Sequence, residues 1–160
     1  MSDALATYLH DHLTAAHFAV ELLKSLQEQH AGEALGEFAA TLLREIEEDR
    51  QTLQQIADQA GAEASILKEA TAWVGEKVSR FKLRHGGAGE SGTLESLETL
   101  ALGILGKQAL WRALSVVAPT NARVRSEDFD ALAARAQAQY ACVEEHRLQA
   151  ARAALGARPE

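Results

Sequence analysis

The sequence is poor in the residues that cross-link a chain or interrupt its helices. It has one cysteine and two prolines among 160 residues, and aromatic residues make up only 5%. No internal disulfide can therefore form, and aliphatic side chains must build the core. Alanine, leucine, glutamate, glutamine and arginine dominate instead, which is the composition of helices. We expect a single all-α domain from a reducing compartment.

Basic clusters and long apolar runs are also missing. The chain has 16 Lys and Arg against 23 Asp and Glu, a formal net charge of −7. Nucleic acid and acidic membrane surfaces are bound by basic faces, so neither is expected as a partner. The opening Met1-Ser2-Asp3 has no basic segment, and no apolar run is long enough for a signal peptide or a membrane span. We therefore expect a cytoplasmic protein.

Apolar residues recur every three or four positions along most of the chain, which is the spacing of amphipathic helices. Ser2 and Ser126 are the predicted N-caps of the first and last long helices. Four glycines among residues 85–92 predict a flexible loop. The predicted long helices cover about 3–30, 33–60, 93–118 and 126–155, and a shorter connecting helix covers 65–83.

The helix predicted over 93–118 has leucines almost all round it, so we expect it to be the most buried. Gly103 and Gly106 weaken this helix, and close approach of a neighbouring helix would compensate. Leu22 and Leu43 fall on the predicted exposed sides of their helices. One bundle would then leave apolar surface uncovered, which predicts a homo-oligomer, most simply a dimer.

Two antiparallel hairpins joined by a connecting helix resemble the ferritin-like superfamily in helix order and length. The resemblance covers nearly the whole chain. It implies a ferritin-like four-helix bundle in which the connecting helix crosses from one end to the other. It also implies a place for a di-iron centre, which in that family uses one Glu on each of two helices and Glu-x-x-His on each of the other two.

The sequence departs from that metal pattern. The second helix carries Glu45-x-x-Glu48 where Glu-x-x-His is expected, and Val143 stands three residues before His146. Glycines occupy the midpoint of the third long helix, where a carboxylate is needed. The family's metal residues therefore do not transfer to this chain. We predict a non-catalytic structural or interaction protein that self-associates.

Asp49 falls on the buried stripe of the second helix, and a buried carboxylate needs a partner. His17 lies within about one helical turn of its level, and Glu21 shares the face of His17. Asp49 then either ties two helices together through His17, His12 or an arginine, or belongs to a non-standard metal site. The metal alternative, a metal-storage protein or metal-dependent oxidoreductase using Fe, Mn or Zn, has as candidate ligands His17, Glu21, Glu45, Glu48 and Asp49.

A third interpretation places a small-molecule site beside Gly103 and Gly106, where two missing side chains leave room. The ligand of such a site is not indicated by the sequence. Trp111 is predicted to be a core or interface anchor, and Cys142 a small buried residue.

Overall fold

The computed structural model describes residues 3–62, 75–77, 79–80, 89–124 and 127–157. Within these ranges the chain forms helices and turns and contains no strand, so the predicted all-α class is confirmed. Residues 75–77 and 79–80 are helical; the rest of the helix predicted over 65–83, and residues 85–88 of the predicted loop, lie outside the described residues. The long helices are α1 (Ala4–Gln29), α2 (Ala34–Gln59), α3 (Glu90–Val117) and α4 (Phe129–Leu155).

Aspartates cap the first and last helices. The Asp3 carboxylate accepts hydrogen bonds from two backbone amides of the first turn of α1, at 3.1 and 3.3 Å. Asp128 caps α4 in the same way, with one bond of 3.0 Å. A carboxylate satisfies the free amides and also carries the charge that a helix N-terminus favours. Both helices therefore begin later than predicted, and Ser2 and Ser126 fall outside the described residues.

The third long helix begins at Glu90, inside the segment predicted to be a flexible loop. Gly92 is a buried helical residue, and its carbonyl oxygen accepts a 2.8 Å hydrogen bond from the Ser96 hydroxyl. The Thr93 hydroxyl lies 3.0 Å from Nε2 of His30, the C-cap of α1. These contacts hold the first turn of α3 against the end of α1. The loop was predicted from its glycines alone, which carry no information about such contacts.

Two contacts fix the directions of the helices. The pair of His30 and Thr93 places the end of α1, and therefore the start of α2, beside the start of α3. At the opposite end Arg123, between α3 and α4, donates from Nε to the carbonyl oxygen of Ala60 at 3.1 Å. The long helices α2 and α3 therefore run in the same direction. The chain leaves α2 at one end of the bundle and enters α3 at the other.

The helices pack as two antiparallel hairpins, α1 with α2 and α3 with α4. The hairpins meet through α1 against α3 and, more sparsely, through α2 against α4. Trp111 is completely buried and stacks on Phe129 with ring centroids 6.3 Å apart, so its prediction as a core anchor is confirmed. Aliphatic residues from all four helices fill the rest of the core, among them Leu9, Leu13, Leu23, Ile56, Leu97, Leu110, Leu114 and Val143.

Several exposure predictions are wrong. Leu22 is only 2% exposed, because α1 packs against both α2 and α3 and so buries two faces rather than one. Leu43 is half-buried against the core. Cys142 is exposed, since it faces the sparse contact between α4 and α2. A Cβ built at Gly103 or Gly106 meets no described residue within 4 Å, so none of the four long helices approaches either glycine.

The third long helix combines buried and exposed apolar side chains. Leu97, Leu110 and Leu114 are buried, whereas Leu102 and Val116 are 71% and 74% exposed. Among the described residues, α3 is the one helix long and apolar enough to cross a membrane, contrary to the expectation that no such run exists. The core helix of a bundle meets the same criterion of length and composition.

Candidate functional site

An ion pair lies at the centre of the bundle, between α2 and α3. Asp49 is only 3% exposed and accepts a hydrogen bond on Oδ2 from the ammonium group of Lys107, whose side chain is 14% exposed. Lys107 also donates to Oε1 of Gln139 on α4, which is itself buried. One ammonium group thus joins three helices.

Gln139 and Arg135 extend this contact towards α2. The amide nitrogen of Gln139 donates to Glu45 at 2.9 Å and to Oδ2 of Asp49 at 3.4 Å. Arg135 bonds Glu48 at 2.7 Å, and its Nη1 lies 3.7 Å from Oδ1 of Asp49. We call this set of six side chains the central network: Glu45, Glu48, Asp49, Lys107, Arg135 and Gln139.

Burial dominates the electrostatics of the central network. It lowers the pKa of Lys107 below 10.5, and the attraction of Asp49 opposes that shift without cancelling it. A buried ion pair repays the desolvation of its charges only when further hydrogen bonds complete it. Gln139 supplies those bonds to both partners. The network therefore connects the two hairpins through polar contacts, and Oδ1 of Asp49 is its one buried polar atom without a hydrogen bond among the described residues.

The predicted metal candidates fall in two places. Glu45, Glu48 and Asp49 belong to the central network, whereas Glu21 on α1 pairs with Lys24 at 3.0 Å. The described residues contain no group of three or more His, Cys, Asp or Glu side chains arranged to hold a metal ion. The five predicted metal ligands are thus divided. His17 and Glu21 lie on α1, and the three acids of α2 belong to the central network, which includes Lys107 and Arg135.

His17 does not pair with Asp49, so the predicted partnership is wrong. Its Nε2 is buried and has no hydrogen-bond partner within the described part of the chain. Burial lowers the pKa of His17 below 6.5, and the charge of Arg50 lowers it further. The interpretation of Asp49 as an inter-helix ion-pair residue is confirmed. Its hydrogen-bonded partner is Lys107, and the predicted arginine is present as Arg135, whose Nη1 lies 3.7 Å from Oδ1.

Sequence reasoning missed Lys107 and Gln139. Lys107 is the single charged residue between Glu98 and Arg112, in a stretch that is otherwise apolar or small except for Gln108. A lone charge in an apolar helix requires a buried partner, and that signal was available. Gln139 gave no comparable signal, because an uncharged amide occurs as readily on a solvated face of a helix.

A cavity of about 50 Å³ lies beside the central network, between α1, α2 and α3. We call it the inner cavity. Its polar wall residues are His12, Asp49, Arg50, Lys107 and Trp111, and the rest of the wall is Gly103, alanines and aliphatic side chains. Two wall residues keep a buried polar atom that makes no hydrogen bond with the described residues: Oδ1 of Asp49 and Nε1 of Trp111.

Arg50 is the unpaired charge of the inner cavity. It is half-buried, and no hydrogen bond or ion pair joins its guanidinium group to any residue in the described ranges. Asp49, the acidic residue of the wall, is already neutralised by Lys107 and lies within 4 Å of Arg135. The lining of the inner cavity therefore has a surplus of positive charge and of hydrogen-bond donors.

A larger groove of about 550 Å³ opens between α1 and α3 on the outside of the bundle. We call it the outer groove. Phe18, Leu22 and Leu100 give it apolar walls. The polar residues along it are Asp11, Thr14, Thr99 and Lys77, the last from the helical residues 75–77. The groove and the inner cavity share four wall residues: Ala15, Ala19, Leu100 and Gly103.

Comparison with known proteins gives no match. No family model fits the chain, and neither a curated protein nor a solved structure matches it significantly. Inferences about function therefore depend on the residues of this chain alone.

Proposed function

We propose that the chain is a structural or interaction protein with a ferritin-like bundle that self-associates as a homodimer through the outer face of α3. The helix order supports the ferritin-like part of the proposal. Two antiparallel hairpins whose middle helices run in the same direction require a connection from one end of the bundle to the other. The central network lies in the core of the bundle, and helical bundles build their metal sites from core side chains on facing helices.

The observation that carries the proposed dimer is a stripe of exposed residues along α3. Six exposed positions follow one another at spacings of four, three, four, three and four, which is the spacing of a helix–helix seam. We call them the outer stripe: Glu98, Leu102, Leu105, Ala109, Arg112 and Val116. Leu102 and Val116 are among the most exposed large apolar residues of the described chain.

The charges of the outer stripe indicate that its partner is a second copy of the chain. An acid, Glu98, and a base, Arg112, stand on either side of Leu105, and each is seven positions from it. Within one chain Glu98 also lies 3.3 Å from Nη1 of Arg147 on α4, so its carboxylate would be shared between that arginine and the seam. In an antiparallel pair with its two-fold axis at Leu105, the acid of each copy faces the base of the other. The apolar residues between them then cover one another. The face is therefore complementary to itself.

Analytical ultracentrifugation at micromolar concentration tests the proposal. The unmodified chain is expected to sediment as a dimer and Leu102→Glu as a monomer, because the substitution places two like charges in an apolar seam. Leu155→Glu is the matched control, since Leu155 is equally exposed but lies at the end of α4. A monomeric unmodified chain, or a Leu102→Glu variant that remains dimeric, would contradict the proposed interface.

Charge exchange tests the antiparallel orientation separately. Arg112→Glu is expected to weaken the dimer because each introduced acid would face Glu98 of the second copy. Adding Glu98→Lys to this variant restores the opposite charges, so dimerisation is expected to recover. If the double variant dissociates further than the single one, the two residues do not face each other.

The competing proposal is a metal-storage protein or metal-dependent oxidoreductase. It requires Fe, Mn or Zn near Glu45, Glu48 and Asp49, or near His17 and Glu21. Elemental analysis of protein purified without chelator or affinity tag separates the two functions. A metal content above about one equivalent would favour the metal protein, and less than about a tenth of an equivalent would remove it.

A further inference from the structure

We propose that the inner cavity and the outer groove together bind a small carboxylate with an apolar body, one molecule for each chain. This ligand site is distinct from the proposed dimer seam. Its carboxylate would lie in the inner cavity beside Arg50 and Trp111, and its apolar chain would lie in the outer groove. The class of ligand is that of medium-chain fatty acids.

Charge identifies the head group. Arg50 lines the inner cavity, and Nε1 of Trp111 is an unpaired donor in its wall. The one unpaired acceptor among the described wall atoms is Oδ1 of Asp49, whose charge Lys107 and Arg135 offset. A carboxylate accepts from both Arg50 and Trp111, and hydrogen bonds between charged groups are the strong ones. An ammonium head group would find an acceptor at Oδ1 of Asp49 but would also face Arg50 and Lys107, two like charges. A hydroxyl would leave the positive charge of Arg50 unpaired.

The shape of the empty space identifies the rest of the ligand. The inner cavity, at about 50 Å³, admits only a small polar group, whereas the outer groove of about 550 Å³ has the size of a typical ligand pocket. The walls of the outer groove are mainly apolar. A ligand that fills both spaces therefore has one small polar end and one longer apolar body.

Gly103 lies where the two spaces meet. It belongs to the walls of both, and a Cβ built on it meets nothing within 4 Å. A side chain at this position would enter the passage. Glycine in the middle of an exposed helix costs about 0.5–1 kcal/mol relative to alanine. Helix stability therefore does not explain a glycine here, whereas a passage for a ligand does.

Isothermal titration calorimetry with octanoate tests the proposal on the full chain. One octanoate is expected to bind for each chain, and 1-octanol is expected to bind at least about tenfold more weakly because it cannot pair with Arg50. Arg50→Gln is expected to weaken octanoate binding by a similar factor. Arg50→Lys, which keeps the charge, is expected to retain most of the affinity.

Gly103→Leu and Gly106→Leu form a matched pair for the passage. Both place leucine on α3 where no neighbour lies within 4 Å, but Gly106 lines neither space. Octanoate binding is expected to be lost in the first variant and kept in the second. The monomeric variant Leu102→Glu is expected to bind octanoate normally, so a failure of the dimer leaves this proposal intact.

Three outcomes would overturn the ligand site. Octanoate that does not bind would remove the proposed class of ligand. Equal affinities for octanoate and 1-octanol would remove Arg50 as the determinant of the head group. Unchanged binding in a folded Gly103→Leu variant, with folding checked by circular dichroism, would place the ligand elsewhere.

Discussion

Lys107 of α3 and Asp49 of α2 form an ion pair inside the bundle, and Gln139 of α4 hydrogen-bonds to both. The pair crosses the boundary between the two hairpins, where helix packing is sparser than within each hairpin. A buried polar connection of this kind costs desolvation but specifies which side chains face one another. The pairing of the hairpins is therefore set by the central network as well as by the aliphatic core.

Loss of the Asp49 carboxylate is expected to destabilise the bundle severely. Asp49→Ala leaves the Lys107 ammonium buried without its counter-charge, and removal of one partner from a buried pair costs about 3–5 kcal/mol. Urea denaturation followed by circular dichroism measures the change in the free energy of unfolding.

The double variant Asp49→Ala with Lys107→Met is the control. It removes both charges and leaves an apolar side chain of similar length in α3, so most of the lost stability is expected to return. If the double variant is as unstable as Asp49→Ala alone, Lys107 and Asp49 are not energetically coupled.

The sequence was sufficient to predict the burial of Asp49. Its position on the apolar stripe of α2 follows from spacing within one helix, and spacing within a helix also gave the four long helices to within a few residues. The partner of Asp49 depended on which helix lies opposite at that level. His17 and Lys107 lie at similar levels of the bundle, and only the way the two hairpins pack together decides which of them meets Asp49.

The empty spaces of the bundle were harder to predict than its helices. Gly103 and Gly106 suggested close packing by their size, but neither has a neighbour within 4 Å. A small residue permits close approach without requiring it, so the same sequence is compatible with contact or with a void. The inner cavity depends on the separation of α1 from α3, which no local pattern encodes.

Two glycine substitutions are expected to change stability in opposite directions. Gly106→Ala is expected to raise the free energy of unfolding by about 0.5–1 kcal/mol, because alanine favours the helix and its Cβ meets no neighbour. Gly36→Ala offers the same gain in α2, but its Cβ would overlap the carbonyl oxygen of His30 at the end of α1. That clash is expected to cost about 1–3 kcal/mol.

Thermal unfolding of both variants beside the unmodified chain measures this difference. An increase in Tm for Gly36→Ala would mean that the turn between α1 and α2 relaxes at little cost. A decrease for Gly106→Ala would mean that the outer face of α3 is packed in solution, as it would be if Gly106 lay within the dimer seam.

Acidification from pH 7.5 to 5.5 is expected to destabilise the protein through its histidines. Burial lowers the pKa of His12, His17 and His146 below the ordinary value of 6.5. As the pH falls through 6.5, the unfolded chain binds protons that these folded side chains do not, so the free energy of unfolding decreases. Asp3 and Glu144 also have lowered pKa values, but their stabilising effect is lost only at more acidic pH.

His17→Leu is expected to reduce this loss of stability. At His17 burial acts together with the positive charges of Arg50 and Lys24, and Glu21 opposes them. Leucine cannot titrate, so the variant is expected to lose less stability than the unmodified chain between pH 7.5 and 5.5. Urea denaturation at the two pH values gives both changes. Gly106→Ala alters no titratable group and is expected to keep the full pH dependence. An equal loss of stability in all three proteins would show that His17 binds its proton as readily in the folded chain as in the unfolded one.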